Sequence, residues 1–311
     1  MNVVVFYNEE AGSSPPAEQI RTTIERHGHH VVDMVDKDRG VRHLFDRASD
    51  LIVAVGGDGT VASVAREVAG HPVPLTVLPL GTANNVALSL GCVAPMDALI
   101  EHWAHAAVRH ADLGIACGPW GDRRFVEGVG GGLVARSIAA IDAQPLDSSH
   151  EPGHRLELAI GGYLNVLAKL SATPWSLQLD GEPLHGEFLL VEILNMKSIG
   201  PNFVVSEETD VFDGAFTVAL ARAEDRDELA AYWQTRMAGE PASLHLETRS
   251  AARVVLEHGS DLHVDDALFA WPEEGSVELR VEPGVLHVLT GPAPGVRAGN
   301  LRDAQESGSR V

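Results

Sequence analysis

The sequence predicts two lobes: an α/β lobe with a parallel sheet at the amino end, then a β-rich, β-sandwich-like lobe. Up to about residue 111, apolar runs of strand length alternate with helical patterns, which is typical of a parallel sheet. After residue 112 the apolar runs are shorter and alternate with polar residues, as in antiparallel sheets. The chain of 311 residues also exceeds what one hydrophobic core usually serves, so two lobes are expected.

The elements of the first lobe follow in order from these runs and from helix signals. Pro15 and Pro16 open the first helix, because the N–H that proline lacks has no intrahelical partner at that position. The run before Gly56 consists only of Leu, Ile, Val and Ala, which indicates a buried strand. The expected strands are residues 2–7, 30–35, 51–55 and 75–78, and the expected helices are residues 15–26, 41–48 and 96–107.

The second lobe is expected to be mainly antiparallel. Residues 176–180 alternate apolar and polar side chains and lead into Gly181 and Glu182, which predicts a strand followed by a turn. The other expected strands are residues 187–194, 215–220, 243–247, 253–257 and 276–281, and the expected helices are residues 133–143, 155–170 and 225–237. We expect one domain over residues 1–111, a second over residues 112–290, and a flexible tail over the polar residues 304–311.

Composition and charge predict a cytoplasmic protein. No apolar run approaches the roughly 20 residues that cross a bilayer, and no basic segment precedes the first apolar run, as a signal peptide requires. The 23 basic and 44 acidic residues give a net charge of −21, which argues against nucleic acid as a partner and against broad adhesion to anionic membrane. Transient contact with a membrane through a local patch stays open. Cys92 and Cys117 lack the spacing of a metal site or a disulfide framework.

A glycine motif follows the third expected strand. Gly56, Gly57 and Gly59 have no Cβ, so backbone N–H groups can close around a phosphate at the positive end of the following helix. Asp58 would stand beside the phosphates, where a carboxylate is repulsive unless a cation lies between. The motif, completed by Thr60, therefore indicates a metal-bound nucleotide. The alternative is an ordinary tight turn between a strand and a helix.

A second loop of this kind, residues 79–85, follows the next expected strand. Gly81, Thr82 and Asn84 could hydrogen-bond a nucleotide there, and two such loops at neighbouring strand ends would line one crevice. Together the two loops resemble the GGDGT and PxGTxN(D/N) motifs of the diacylglycerol kinase catalytic family. That family includes sphingosine kinases and bacterial lipid kinases, and it is related more distantly to the NAD kinases.

The resemblance implies a lipid kinase that depends on ATP and Mg²⁺ and phosphorylates a hydroxyl of diacylglycerol or a related lipid, at or extracted from a membrane. It also implies that residues after 290 return to the first domain. It does not decide whether the protein forms a homodimer. Residues 8–13 stand in the place of the family's NPxSG nucleotide loop, with Asn8, Gly12 and Ser13 matching. The implied nucleotide residues are Asn8, Gly57, Asp58, Gly59, Thr60, Gly81, Thr82 and Asn84.

Two acidic segments of the second lobe resemble functional segments of the family. Asp265 corresponds to the aspartate of the DGE motif, which implies a general base, and Asp58 is the second implied catalytic residue. Asp266 and Ala267 replace the Gly and Glu of that motif. The segment with Asp210, Asp213 and Ala215 resembles the structural magnesium site of bacterial diacylglycerol kinases, with two carboxylates and the carbonyl of Ala215 as ligands.

Weaker matches and open alternatives complete the prediction. Asp112 resembles an aspartate near the nucleotide metal, and Glu127 stands where the family's FxNxxGxG segment has Asn. Asp265 and Asp266 alternatively form a solvated hairpin turn. As a whole, the chain is alternatively a kinase of a soluble hydroxyl acceptor, like the NAD kinases, or a catalytically silent nucleotide-binding regulatory protein.

Overall fold

The computed structural model describes residues 1–8, 15–143, 152–272 and 275–292, with side chains of residues 152–155 excluded. Two compact units are present, one formed by Met1–Ala111 with the described residues from Val285 onward, and one formed by Asp112–Gly284. Gly12, Ser13 and the predicted tail over residues 304–311 lie outside the described residues. No helix in the described part of the chain is long and apolar enough to span a membrane.

The first unit contains a parallel sheet with helices between its strands. Its elements are β1 (Asn2–Tyr7), α1 (Ala17–Arg26), β2 (His30–Asp36), a 3-10 helix (Val41–Phe45), β3 (Leu51–Gly56), α2 (Asp58–Val68), β4 (Leu75–Pro79), α3 (Asn85–Ser89) and α4 (Met96–His102). The strand order is β2-β1-β3-β4, all parallel. Every residue of β3 is buried, which is why this strand reads as a continuous apolar run.

The second unit is mainly antiparallel, and two of its strands, β5 and β18, continue from or into the first unit. Its strands are β5 (Val108–Gly118), β6 (Gly121–Phe125), β7 (Gly128–Gly132), β8 (Thr173–Leu179), β9 (Glu182–Phe188), β10 (Leu190–Leu194), β11 (Ser198–Ile199), β12 (Phe203–Val204), β13 (Phe216–Ala221), β14 (Glu247–Ala251), β15 (Arg253–His258), β16 (Leu262–Val264), β17 (Ala267–Phe269) and β18 (Val277–Leu289). Its helices are α5 (Leu133–Asp142), α6 (Pro152–Leu167), a 3-10 helix (Ala223–Asp225) and α7 (Arg226–Met237).

A six-stranded sheet in the order β14-β13-β10-β7-β16-β17 organises this unit. Along β10, Val191 and Ile193 join a hydrophobic cluster with residues of β8, β15 and β18. Leu190 and Leu194 point to the other face and pack with residues of α5, α6 and α7. The alternation follows from the period of two along a strand, and it gives the unit a sheet covered by strands on one face and helices on the other.

Several predicted element boundaries were wrong for identifiable reasons. Residues 187–194 are two strands, because β9 pairs with β8 whereas β10 pairs with β7 and β13. The strand expected at residues 243–247 lies instead at Glu247–Ala251, where it pairs with β13. The expected helices over residues 41–48 and 96–107 are a 3-10 helix and a helix that ends at His102. The glycine-rich residues 128–132 form a buried strand that the sequence did not predict.

Candidate active site

The carboxyl ends of three parallel strands place the predicted nucleotide residues of the first unit. Asn8 follows β1, Gly57 follows β3 and Leu80 follows β4. In the strand order β2-β1-β3-β4, the chain leaves β1 toward one edge of the sheet and leaves β3 toward the other. Ligands of open α/β sheets bind at such a reversal, outside the carboxyl ends of the strands. Asn8 is half-buried at this position.

The two glycine loops pack directly on each other. The N–H of Leu80 donates to the carbonyl of Gly56 at 2.9 Å. A Cβ on Gly81 would lie 2.5 Å from the Cα of Gly57, and a Cβ on Gly57 would lie 3.1 Å from the Cα of Gly81. Any side chain at Gly81 would therefore force the loops apart. Their contact leaves bare backbone next to the first turn of α2, whose first N–H groups have no intrahelical acceptor.

Gly59 and Thr60 occupy the first turn of α2 in different surroundings. No atom outside its neighbourhood in the chain lies within 4 Å of a Cβ built on Gly59, so this position faces open space. The side chain of Thr60 lies against Gly56, where an added Cβ would be 2.8 Å from the Cβ of Thr60. The motif therefore faces open space at Gly59, whereas the side chain of Thr60 fills the space beside Gly56.

Asp58 connects the glycine motif to the second loop. Its Oδ1 accepts the N–H of Val86 at 2.9 Å, so the carboxylate sits at the amino end of α3. Burial raises the pKa of Asp58, while hydrogen bonds from the backbone N–H groups of Val86, Asn85 and Asn84 act in the opposite direction. Asp58 therefore has a role in joining the two loops, in addition to the catalytic role predicted for it.

Asn84 stabilises the second loop from within. Its backbone is left-handed, with φ of 55°, a conformation that Asn tolerates better than most residues. Its side-chain Oδ1 accepts the N–H of Gly81 at 2.8 Å, and its Nδ2 donates to the carbonyl of Gly81 at 2.7 Å. The amide of Asn84 thus holds the loop in shape, whereas Thr82 is exposed at the tip.

Asp265 lies in the second unit, in the two-residue turn between β16 and β17. Its carboxylate accepts three backbone N–H groups, from Val126 at 3.0 Å, Glu127 at 2.8 Å and Gly128 at 3.3 Å. Its own N–H donates to the carbonyl of Gly128 at 2.9 Å. The turn is a hairpin, as the alternative interpretation predicted, but the half-buried carboxylate is bound by backbone instead of solvated.

The predicted metal ligands lie on the segment between β12 and β13. Asp210 and Asp213 are exposed, and each accepts a nearby backbone N–H, from Phe212 at 3.2 Å and from Ala215 at 2.9 Å. Buried Asp112 accepts the N–H of Gly214 at 2.7 Å. Burial raises the pKa of Asp112, and repulsion from Asp213 and Asp210 raises it further.

This segment supplies oxygen donors for a hard cation, but few of them. Two exposed carboxylates that repel a third provide the oxygen donors and negative charge that Mg²⁺ and Ca²⁺ prefer. Within residues 1–8, 15–143, 152–272 and 275–292, no three His, Cys, Asp or Glu side chains are grouped as a metal site. A cation here would therefore depend on Asp210, Asp213, the carbonyl of Ala215 and water.

A cavity of about 830 Å³ lies within the second unit, and the sequence did not identify the residues of its wall. It is lined by residues of α5 and α6 and by the β16–β17 hairpin that carries Asp265, including Ala139, Val166, Leu268 and Phe269. Arg136 and Lys169 supply cationic groups to its wall. Its volume is in the range of small-molecule sites in proteins.

The nucleotide residues described here all lie in the first unit, and Asp265, Asp210, Asp213 and Ala215 lie in the second. Sequence reasoning missed the N–H groups of residues 126–128 that hold Asp265, and it missed a buried pair formed by Glu192 and His263. The glycine-rich segment at residues 128–132 was the one available signal, because glycines there indicate close approach of other groups.

The fold of the chain is similar to the folds of two solved proteins. A diacylglycerol kinase from Bacillus anthracis str. Sterne has a TM-score of 0.71 at 18% identity, with 94% of this chain and 97% of that chain covered. An NAD kinase from Archaeoglobus fulgidus, solved in complex with ATP, has a TM-score of 0.52 at 10% identity, with 94% of each chain covered. These likenesses confirm the predicted fold class.

Sequence comparison finds similar proteins among the diacylglycerol kinases. Residues 2–116 match the family model of the diacylglycerol kinase catalytic domain. Diacylglycerol kinase of Mycobacterium tuberculosis (strain ATCC 25618 / H37Rv) is 25% identical over 302 residues, 92% of this chain and 94% of the relative. A protein of Pseudomonas putida named "Probable lipid kinase YegS-like" is 32% identical over 191 residues, 60% of this chain and 61% of the relative. These matches confirm the resemblance to the diacylglycerol kinase catalytic family.

Proposed function

We propose that the protein is an ATP- and Mg²⁺-dependent kinase that phosphorylates a hydroxyl of diacylglycerol or a related lipid. The observation that carries this proposal is the packing of Gly57 on Gly81 next to the first turn of α2. Bare backbone at a helix N-terminus is an arrangement that binds phosphate groups. The match of residues 2–116 to the diacylglycerol kinase catalytic domain supports a kinase.

In this proposal the first unit binds ATP. Backbone N–H groups at the start of α2 would receive its phosphates, because the helix N-terminus carries a partial positive charge. Asp58 and Asn84 would keep the two loops together while the nucleotide is bound. The proposed nucleotide-binding residues are Asn8, Gly57, Asp58, Gly59, Thr60, Gly81, Thr82 and Asn84.

Asp265 is the proposed general base. As the lipid hydroxyl oxygen bonds to the γ-phosphorus, its proton passes to the Asp265 carboxylate, and the bond from phosphorus to the bridging oxygen breaks to release ADP. The three N–H groups of residues 126–128 support this role because they hold the carboxylate in one orientation before the proton arrives.

Two positions are proposed for Mg²⁺. Bound with ATP, Mg²⁺ supplies positive charge that neutralises the phosphates. Asp210, Asp213 and the carbonyl of Ala215 would hold a second, structural ion, which is supported by the exposure of both carboxylates and their repulsion of Asp112. That ion would hold the segment before β13 in place.

The cavity beside the β16–β17 hairpin supports a lipid acceptor. Ala139, Val166, Leu268 and Phe269 give it apolar wall, as an acyl chain requires. Leu268 is an exposed apolar side chain only three residues from Asp265. We propose that this cavity accommodates the apolar part of the acceptor.

A second candidate function is nucleotide binding without catalysis. Ala267 stands where the family's motif has a glutamate, so one carboxylate is absent next to the proposed base. A silent protein would bind ATP and transfer no phosphate to any acceptor. A kinase of a soluble hydroxyl acceptor would share the fold with NAD kinases but have no use for the apolar cavity.

The test is transfer of label from ATP to lipid. The full chain is incubated with ATP labelled on the γ-phosphate, Mg²⁺ and a mixed lipid extract in detergent, and the products are separated into organic and aqueous phases. Label in the organic phase is expected. Label confined to an added soluble alcohol would indicate an acceptor of the NAD kinase type. ATP binding with no transfer to any acceptor would indicate the silent protein.

A further inference from the structure

A buried glutamate and histidine face each other across a strand of glycines. Glu192 of β10 and His263 of β16 both lie opposite Gly130 of β7. Because Gly130 has no side chain, the Glu192 side chain extends over it, and its Oε2 lies 2.8 Å from Nε2 of His263. A Cβ on Gly130 would be 2.3 Å from the carboxyl carbon of Glu192.

The other ring nitrogen of His263 contacts the proposed base. Nδ1 lies 2.8 Å from the backbone carbonyl of Asp265, and since a carbonyl only accepts, Nδ1 carries a proton. The contact between Nε2 and Glu192 then needs one further proton, on either partner. Burial raises the pKa of Glu192, with His263 opposing it. Burial alone would lower the pKa of His263, but Glu192 and the carbonyl of Asp265 raise it.

The turn that Asp265 occupies has a backbone conformation that hydrogen bonds can stabilise. Its backbone is left-handed, with φ of 52°, a conformation that residues with a Cβ adopt uncommonly. The hydrogen bond from His263 fixes the carbonyl of this strained residue, and the bonds from residues 126–128 fix its carboxylate. The carboxylate orientation therefore depends on both.

We propose that Glu192 and His263 are positioning residues for Asp265, with Glu192 orienting the His263 ring so that its Nδ1–H holds the Asp265 turn in its left-handed conformation. The catalytic consequence rests on the proposed role of Asp265 as the base. The proposed positioning of the Asp265 turn does not depend on that catalytic role.

A purely stabilising role is a poor explanation of this pair. Glu192 is 0% and His263 is 1% exposed, and Oε1 of Glu192 has no hydrogen-bond partner among the described residues. Replacing a buried ion pair by apolar residues of similar size is often neutral or stabilising, whereas removing one partner leaves an unpaired charge. A variant that loses both partners can therefore remain folded and test the positioning role.

The test compares two double variants in the full chain. Glu192→Leu with His263→Leu removes the hydrogen bond to Asp265. Glu192→Leu with His263→Asn keeps a donor, because the Asn amide nitrogen lies close to where Nδ1 of His lies. Circular dichroism and thermal unfolding establish that both variants are folded.

Amide hydrogen exchange reports whether the Asp265 turn keeps its conformation. The measured amides are those of Glu127 and Gly128, which donate to the Asp265 carboxylate, and the amide of Leu80 in the first unit is the control.

We expect the Leu–Leu variant to exchange Glu127 and Gly128 faster, with Leu80 unchanged, and the Leu–Asn variant to restore protection. With a lipid acceptor, kcat should fall about 10- to 100-fold in the Leu–Leu variant and recover in the Leu–Asn variant, while the affinity for ATP stays constant.

Unchanged exchange in the folded Leu–Leu variant overturns the positioning role. Faster exchange with unchanged kcat overturns its link to catalysis. If the wild type transfers no phosphate, the proposed function fails separately, and exchange alone decides the positioning.

Discussion

Asp58 contributes to the fold and, in the proposed mechanism, to the handling of ATP. Its carboxylate is bound at the amino end of α3, where the N–H of Val86 donates to it at 2.9 Å. Burial raises its pKa, so the charged form costs free energy in the folded state. Asparagine keeps an acceptor oxygen at this position and loses the charge, which allows the two contributions to be separated.

We expect Asp58→Asn to be at least as stable as the wild type at pH 7. Because the pKa of Asp58 is raised by folding, its contribution to stability is fully present below the ordinary aspartate pKa of about 4 and is lost as pH rises. The advantage of the Asn variant in urea unfolding should therefore shrink toward pH 4. Asp58→Ala, without an acceptor, should lose about 1–2 kcal/mol at pH 7. An Asn variant that gains relative stability on acidification would contradict this assignment.

Asp265 shows what sequence can and cannot predict about a candidate site. Its place after a strand was predicted, and its role as the base is a proposal from the resemblance of residues 265–267 to a motif. Its partners were not, because Glu127 is 138 positions away along the chain and donates through its backbone, which leaves no side-chain pattern. Glu192 and His263 were missed for the same reason, since only strand pairing with Gly130 brings them together.

The two glycine loops act as one element, since each occupies space that a side chain on the other would need. We expect Gly81→Ala to destabilise the protein by about 1–3 kcal/mol and to weaken ATP binding, because its Cβ would lie 2.5 Å from backbone of Gly57. Gly59→Ala is the matched control for stability. It meets no atom within 4 Å and should leave stability unchanged or raise it by up to about 1 kcal/mol. Equal urea midpoints for the two variants would contradict the packing.

A further prediction concerns the cavity between α5, α6 and the β16–β17 hairpin. Ala139→Phe should fill part of it and raise KM for the lipid acceptor roughly tenfold, with ATP affinity unchanged. Ala143→Phe is the control, because Ala143 is exposed just after α5 and does not line the cavity. Equal KM values for the two variants would place the lipid elsewhere.

Strands were predictable from the sequence where the local residue pattern agrees with the strand pairing in the fold. The buried strands β1, β3 and β4 read directly as apolar runs next to turn signals, and β1 has the predicted bounds. The strand β7 is four-fifths glycine, so it lacks the side chains that signal a strand, and its neighbours β10 and β16 supply the pairing. The apolar run at residues 187–194 gave no sign of the change of sheet at Leu189, which long-range pairing decides.

For the whole molecule, charge limits how the protein meets a membrane. With a net charge of −21, repulsion should keep it off anionic bilayers, although Arg136 and Lys169 offer local cations at the cavity. In co-sedimentation with anionic vesicles at low salt and without divalent ions, we expect little bound protein. Mg²⁺ should increase binding by screening both surfaces. Tight binding without any divalent ion would show that a local patch outweighs the net charge.

We propose that the molecule as a whole binds ATP in its first unit and uses Asp265 of its second unit to activate an acceptor hydroxyl. An assay of phosphate transfer to lipid and of ATP affinity compares Asp265→Asn with the control Asp266→Asn, whose exposed side chain is adjacent in the same turn. We predict that Asp265→Asn lowers kcat by about 10²- to 10⁴-fold with ATP affinity unchanged, and that Asp266→Asn retains activity. Wild-type turnover in Asp265→Asn would show that Asp265 is not the base.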